Sequence, residues 1–172
     1  MVRTGWLLAL AGLLWLPAST AAQEATTVFV VRHAERASSE TDSPLSEVGR
    51  TRASALAHAL ASARIDAIFT SQFKRTQETA APLAAATGLA AQTVDARDQE
   101  ALVKAIAALP PGSRVLVVSH SNLVPVIVTR LSGQPVPEMT EAEFDWLYQV
   151  TMTTPGRGTV IPLRYGGPSA KH

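Results

Sequence analysis

The chain has 172 residues, with 15 Lys and Arg against 14 Asp and Glu, which gives a formal net charge of +1. This length favours a single domain, and the absence of cysteine excludes disulfides, thiolate nucleophiles and cysteine-based metal sites. Because neither sign of charge forms a long run, nucleic acid or an anionic membrane is disfavoured as the main partner.

The first 22 residues have the pattern of a secretory signal peptide. Arg3 is their only charged residue, and the apolar run Trp6–Leu16 is followed by small residues up to Ala22. This run is shorter than the roughly 20 residues that span a bilayer. We therefore expect cleavage after Ala22, no stable membrane insertion afterwards, and a single domain over 23–172 in the periplasm or outside the cell.

Predicted strands and helices alternate four times along this domain. The β-branched and aromatic run Val28–Val31 predicts a strand buried on both faces. Ser46 is predicted to cap a helix that runs from Glu47 to about Ala61. The further predicted strands are Ile65–Phe69, Thr93–Val94 and Val115–Val118, and the further predicted helices are Lys74–Ala86, Glu100–Leu109 and Leu123–Leu131.

Local signals mark the ends of two of these helices. Gly88 closes the helix Lys74–Ala86, and Pro82 inside that helix predicts a kink or a late start. Asn122 is predicted to cap the last helix, with Pro125 tolerated in its first turn.

A β-hairpin is predicted near the end of the chain. The segments Phe144–Met152 and Thr159–Tyr165 flank the turn sequence Pro-Gly-Arg-Gly at 155–158. The preceding strand–helix alternation implies parallel strands covered by helices. The expected fold class is therefore α/β, a three-layer α/β/α sandwich with a mostly parallel sheet and a C-terminal antiparallel hairpin.

Polar side chains follow three of the predicted parallel strands, where the active sites of such sheets lie. They are Arg32, His33 and Glu35 after the first strand, Ser71, Lys74 and Arg75 after the second, and His120, Ser121 and Asn122 after the fourth. Histidine can act as a nucleophile, and the arginine fork fits phosphate oxygens. Two histidines with two arginines and no thiol favour phosphoryl transfer over acyl transfer.

Four short motifs lie in order between Val28 and about Leu131. Residues 31–35 are VRHAE, 45–53 are LSEVGRTRA, 70–80 are TSQFKRTQETA and 117–122 are VVSHSN. In this order they resemble R-H-G/A-E, L-S/T-x-x-G-x-x-Q/R-A, S-x-x-x-R-T/A-x-x-T-A and a strand ending in S/G-H-G/S. These are the motifs of the histidine phosphatases, the superfamily that includes cofactor-dependent phosphoglycerate mutase.

The resemblance implies a role for each residue of the set. His33 is the nucleophile that becomes phosphohistidine, while Arg32, Arg75 and a protonated His120 surround the transferring phosphoryl group. Charge stabilisation by such groups is the main source of catalysis in phosphoryl transfer. The predicted substrate-binding residues are Arg32, Arg75, Ser121 and Asn122, and the scheme needs no metal or other cofactor.

The proton donor is left open among three carboxylates. Many members of the family carry a Glu past the third strand, where Glu100 lies, although a Glu in the first turn of a helix also favours the helix dipole. Glu35 lies two residues after the nucleophile, and Asp98 is an alternative that could instead cap a helix. A substrate with a good leaving group needs none of them.

The resemblance thus predicts an exported phosphomonoester hydrolase that is monomeric or weakly dimeric. The chain lacks room for the segments with which the mutases build their sugar-acid pocket, which disfavours mutase activity. The short form resembles small phosphohistidine phosphatases and exported phosphatases of envelope sugars, and export argues against intracellular phosphoproteins, so a phosphorylated sugar or another small phosphoester is the expected substrate. One alternative is a phosphate-binding protein of the same fold without turnover. Another is a metal hydrolase using His33, His120 and a carboxylate, against which the paired arginines argue because they would repel a cation.

Overall fold

The computed structural model describes residues 24–169, which fold around a six-stranded sheet. The strands are β1 Thr26–Arg32, β2 Ala67–Thr70, β3 Ala91–Thr93, β4 Arg114–Ser119, β5 Trp146–Thr154 and β6 Arg157–Arg164. The helices are α1 Glu47–Ala59, α2 Lys74–Thr87, α3 Gln99–Ala107 and α4 Val124–Ser132. Within this range no helix is long and apolar enough to cross a bilayer. The predicted signal peptide lies outside the described residues.

The sheet has the strand order β3-β2-β4-β1-β5-β6. The strands β3, β2, β4 and β1 run parallel, whereas β5 is antiparallel to both β1 and β6. The predicted α/β class, the mostly parallel sheet and the antiparallel hairpin at one edge are therefore confirmed. The carboxyl ends of the four parallel strands meet at a single edge of the sheet, and this edge carries the candidate site.

Helices cover both faces of the sheet because the central strands are apolar on both sides. In β1, Val28 and Val30 pack in the core cluster that includes α3 and α4 side chains, whereas Phe29 and Val31 pack in the cluster that includes α1 and α2 side chains. Successive strand residues point to opposite faces. A continuous apolar run therefore requires two helical layers, which gives the predicted three-layer sandwich.

The helix ends show which local signals held. Ser46 caps α1, its Oγ accepting a hydrogen bond from the backbone N–H of Gly49 at 3.0 Å. Gly88, with φ 72°, closes α2 in the left-handed conformation that favours glycine. The predicted late start of α2 is wrong, since this helix begins at Lys74 and continues through Pro82.

The predicted cap of α4 is also wrong. The residue before this helix is Leu123, and no side chain caps it. Instead the carbonyl oxygen of His120 accepts the N–H groups of Leu123 and Val124, at 3.0 and 2.9 Å. A backbone turn thereby satisfies the donors that the Asn122 side chain was expected to bind.

The two edges of the sheet are short or interrupted. At one end β3 contributes only three residues. At the other end β6 contains Pro162, which has no N–H to donate to a neighbouring strand.

Candidate active site

A pocket of about 470 Å³ lies at the carboxyl ends of the parallel strands. Its walls come from the loops after β1, β2, β3 and β4, together with one residue of the loop between α4 and β5. The lining residues are Arg32, His33, Arg36, Phe73, Arg75, Ala96, Arg97, Gln99, His120, Ser121, Asn122, Leu123 and Glu141. The structure thus brings together the two histidines and two arginines that were predicted from their positions after the parallel strands.

The ring of His33 is held in one orientation at the end of β1. Its backbone N–H continues the ladder to β4 by donating to the carbonyl oxygen of Ser119 at 2.8 Å. Its Nδ1 lies 2.8 Å from the carbonyl oxygen of Ala34. A carbonyl oxygen only accepts hydrogen bonds, so Nδ1 carries the proton and Nε2 carries the lone pair.

The environment of His33 keeps its ring uncharged. Only 4% of the residue is exposed. Burial, together with the positive charges of Arg32 and Arg75, lowers the pKa of His33 to about 3. At neutral pH the Nε2 lone pair is therefore available for attack on an electrophile.

Arg32 is buried beside His33 and is fixed by the loop between α4 and β5. Its Nη1 donates to the carbonyl oxygens of Thr140, Glu141 and Glu143, each at 3.0 Å. The guanidinium lies 4.0 Å from the centre of the Phe144 ring. This packing holds a cation in a desolvated place, where it interacts strongly with an anion.

His120 is linked to Arg75 and Ser71. Nη2 of Arg75 donates to Nδ1 of His120 at 3.3 Å, so the proton of the His120 ring lies on Nε2, which donates to Oγ of Ser71 at 3.0 Å. Nη1 of Arg75 also donates to the carbonyl oxygen of Thr41 at 2.7 Å. These contacts aim the Arg75 guanidinium and the His120 ring at the same pocket.

The surroundings of His120 favour its neutral form. Burial and the neighbouring cations Arg75 and Arg32 lower the pKa of His120 to about 4. The ring is therefore neutral at pH 7. The positive charge of the pocket therefore comes from its arginines.

Glu141 is a site residue that the sequence analysis missed. One of its carboxylate oxygens accepts from Nη2 of Arg32 at 2.7 Å, and the other accepts from Oγ of Ser121 at 2.6 Å. The hydrogen bond from Ser121 and the charge of Arg32 lower the pKa of Glu141. No sequence signal marks this residue, because a loop that folds back over Arg32 brings it to the pocket.

The three carboxylates that were considered as proton donors do not line the pocket. Both oxygens of Glu35 accept from Nε of Arg52, at 2.9 and 3.0 Å, which ties the nucleophile loop to α1. Asp98 caps α3 by accepting from the N–H of Ala101 at 2.8 Å, and Glu100 is exposed on that helix. The turn between β3 and α3 presents Ala96, Arg97 and Gln99 to the pocket instead.

The other predicted substrate-binding residues do reach the pocket. Ser121 is buried and its hydroxyl is occupied by Glu141, whereas Asn122 is exposed. Among residues 24–169, no three His, Asp or Glu side chains come together as metal ligands. The donors of this site, mainly arginines, suit an anion.

Comparison with known proteins agrees with this reading of the pocket. Residues 28–98 match the model of the histidine phosphatase superfamily, branch 1. No curated protein sequence matches the chain. The chain is similar to the solved structure of the protein histidine phosphatase SixA complexed with tungstate, with 24% identity, a TM-score of 0.68, and 80% of this chain and 96% of that chain covered. It is also similar to a mycobacterial glucosyl-3-phosphoglycerate phosphatase, with 18% identity, a TM-score of 0.67, and 85% and 100% covered.

These matches agree with the motifs in the sequence. The structural likeness shows the fold, and the superfamily match includes the first three motifs. The fourth motif, at 117–122, supplies His120 to the same pocket. The predicted resemblance to the histidine phosphatases is thereby confirmed over residues 28–98, which match the superfamily model, and at the level of the fold over most of the chain.

Proposed function

We propose that this protein is a phosphomonoester hydrolase that works without a metal and forms a phosphohistidine at His33. The observation that carries the proposal is the tautomer of this ring. Nδ1 is bound to the Ala34 carbonyl oxygen, so Nε2 is the free nucleophilic atom, and two buried or half-buried arginines line the same pocket.

In the first step Nε2 of His33 attacks the phosphorus atom of the ester. The bond between phosphorus and nitrogen forms as the bond to the ester oxygen breaks, and the ester oxygen leaves as an alkoxide that takes a proton from water. The transition state is loose and spreads negative charge over the equatorial oxygens. Arg32 and Arg75, already fixed by backbone carbonyls, stabilise that charge without having to reorganise.

In the second step water attacks phosphorus in the phosphohistidine. The bond to Nε2 breaks, inorganic phosphate leaves and the ring recovers its lone pair. Because the low pKa of His33 disfavours a proton on Nε2, the ring returns to its reactive form. Splitting hydrolysis in this way replaces one difficult displacement by two easier ones.

The charge of the pocket supports catalysis without a metal. Of the lining residues four are arginines and one is a carboxylate, Glu141. A divalent cation would be repelled by this set, whereas a phosphoryl dianion is attracted to it. A metal hydrolase would need metal-binding side chains at the positions that these arginines occupy.

A small phosphorylated substrate, such as a phosphorylated sugar, fits a pocket of about 470 Å³. One structural relative is named for glucosyl-3-phosphoglycerate, and another for protein histidine phosphatase activity. We include export to the periplasm or the medium in the proposal, on the signal-peptide pattern of the first 22 residues. An exported enzyme meets small phosphoesters outside the cytoplasm, which favours the sugar over a phosphoprotein.

The test is release of phosphate from p-nitrophenyl phosphate by residues 23–172 in the presence of a chelator. We expect activity in the unchanged protein and its loss in His33→Ala. His58→Ala is the matched control, because His58 is exposed on α1, away from the pocket. Rapid quenching should trap a phosphoenzyme that is labile in acid and stable in alkali, as a bond between phosphorus and nitrogen requires.

Three outcomes would contradict the proposal. Equal activity of His33→Ala and the unchanged protein would remove His33 from the mechanism. Loss of activity in chelator, restored by a divalent cation, would show a metal hydrolase. Phosphate binding without hydrolysis of any phosphoester would favour the phosphate-binding protein.

A further inference from the structure

The pocket holds more positive charge than a single phosphoryl group requires. Arg32 and Arg75 flank the two histidines, and Arg36 and Arg97 line the pocket as well. Glu141 is the one carboxylate among the lining residues. Both histidines are neutral at pH 7. The pocket therefore carries a formal charge of about +3 on a chain whose net charge is +1.

Arg36 is held close to the phosphoryl-binding arginines. Its backbone forms a bridge with Leu45, which fixes the loop after β1. Besides burial, the charge of Arg36 lowers the pKa of Arg75, and it also acts on Glu141. Among residues 24–169, no carboxylate forms an ion pair with Arg36.

Arg97 reaches the pocket from the turn between β3 and α3. Two hydrogen bonds fix the backbone of this turn. The N–H of Arg97 donates to a carboxylate oxygen of Asp95 at 2.8 Å, and the N–H of Ala96 donates to Oε1 of Gln72 at 2.9 Å. Within the described range the Arg97 guanidinium has no ion pair either. A fixed backbone thus presents an exposed cation to the mouth of the pocket.

Charge matching relates these cations to the ligand. A phosphomonoester dianion neutralises two positive charges, which Arg32 and Arg75 supply. With Glu141 counted, the lining then keeps a formal charge of about +1, and the two arginines without an ion pair, Arg36 and Arg97, carry it. This charge attracts further negative charge, because a concave wall of one sign raises the local concentration of the opposite ion. Arg36 follows β1 and Arg97 follows β3, so they approach the mouth from different strand ends.

We propose that Arg36 and Arg97 bind a second anionic group, a carboxylate or a second phosphate, on the phosphorylated substrate. The substrate class is then a phosphoester with a further negative charge, and a neutral sugar phosphate is a poorer ligand. This proposal rests on the proposed function, which places the phosphoryl group at His33 between Arg32 and Arg75. It adds a specificity determinant outside that seat.

The test compares ligands that differ by one anionic group. The pairs are 6-phosphogluconate with glucitol 6-phosphate, and fructose 1,6-bisphosphate with fructose 6-phosphate. Binding is measured by calorimetry in a His33→Gln background, which cannot take the phosphoryl group. Binding is thereby separated from turnover, so a failure of the proposed hydrolysis and a failure of this second seat give different results.

We expect the ligand with the extra anion to bind about tenfold more tightly in at least one pair, the effect of one charge-assisted hydrogen bond. Arg36→Gln should reduce that preference toward one, and Arg97→Gln should reduce it too. Arg130→Gln is the control, since Arg130 is exposed on α4 and does not line the pocket. Raising the salt concentration should weaken the preference in the unchanged pocket.

Three results would overturn this second seat. The first is equal affinity within both pairs, and the second is no binding of any of the four ligands by a protein that still binds inorganic phosphate. The third is a preference that survives in the double variant Arg36→Gln/Arg97→Gln. Circular dichroism of each variant verifies that a lost preference does not reflect a lost fold.

Discussion

At the scale of single residues, the chemistry depends on which nitrogen of each ring carries the proton. The backbone carbonyl of Ala34 sets this for His33, and the Arg75 guanidinium sets it for His120. Neither hydrogen bond can be identified in the sequence, which shows only that each histidine follows a predicted strand. The motif identifies the candidate nucleophile, and the three-dimensional contacts identify its reactive atom.

The carboxylate of Glu141 binds the groups that a phosphate is expected to bind. Arg32 and Ser121 both donate to it, and 77% of the Glu141 side chain is exposed to solvent. An incoming phosphate must therefore compete with an ionised side chain for the same donors. The exposure keeps this competition modest, because water screens the ion pair.

We expect Glu141→Gln to bind inorganic phosphate about two- to fivefold more tightly, the range that corresponds to one exposed ion pair. The substitution removes the competing charge and keeps the shape of the side chain. The measurement is the inhibition constant of phosphate against p-nitrophenyl phosphate hydrolysis. Glu138→Gln is the control, in the same loop but outside the pocket. Weaker binding in Glu141→Gln would instead show that the carboxylate positions Arg32.

At the scale of elements, much of the fold could be predicted from local patterns. The run Val28–Val31 and the cap at Ser46 lie within the elements that they predicted, β1 and the start of α1. The cap at Asn122 could not be judged locally, because a backbone turn from His120 takes the donors of α4. A cap residue in the sequence shows that a helix can begin there, and the neighbouring carbonyls decide whether it is used.

The difference between the cap at Ser46, which is used, and the one at Asn122, which is not, can be measured through the stability of the protein. Ser46→Ala should lower the free energy of unfolding by about 1 kcal/mol, because the first turn of α1 loses its side-chain acceptor. Asn122→Ala should leave it unchanged within about 0.5 kcal/mol, since Asn122 is exposed and caps nothing. Urea unfolding midpoints of the two variants provide the measurement. Equal losses in both would contradict the assignment of the caps.

The part of the candidate site that follows from the order of the parallel strands could be predicted from the sequence. Side chains that follow parallel strands meet at one edge, and this connectivity brought Arg32, His33 and His120 together. The carboxylates were not predictable in this way. Glu35 is taken by Arg52, 17 residues away on α1, and Glu141 arrives on a loop 109 residues after Arg32. Contacts between residues so far apart in the chain produce no periodic pattern in the sequence.

At the scale of the whole molecule, the two buried histidines make stability depend on pH. The unfolded chain binds a proton at a histidine near pH 6.5, whereas the folded pKa values of His33 and His120 are about 3 and 4. Their contribution to stability is therefore complete above about pH 6.5 and declines as the pH falls toward 4.

In this window the free energy of unfolding should fall by up to about 1.4 kcal/mol per pH unit for each histidine. Urea unfolding at intervals between pH 7 and pH 5 measures the slope, above the range where most carboxylates titrate. His33→Gln should give a shallower slope than the unchanged protein, and the exposed His58→Gln should not. Identical slopes in all three proteins would mean that His33 titrates normally in the fold.

The two ends of the sheet have a consequence for the solution behaviour of the molecule. An exposed edge strand is a template on which another chain can add a strand and begin an aggregate. Here β3 offers only three residues, and Pro162 interrupts the donors of β6. Both edges therefore offer a second molecule a shorter uninterrupted row of backbone donors than a long regular strand would. The proline thus lowers the tendency of β6 to aggregate where the strand exposes the apolar side chains of Ile161 and Leu163.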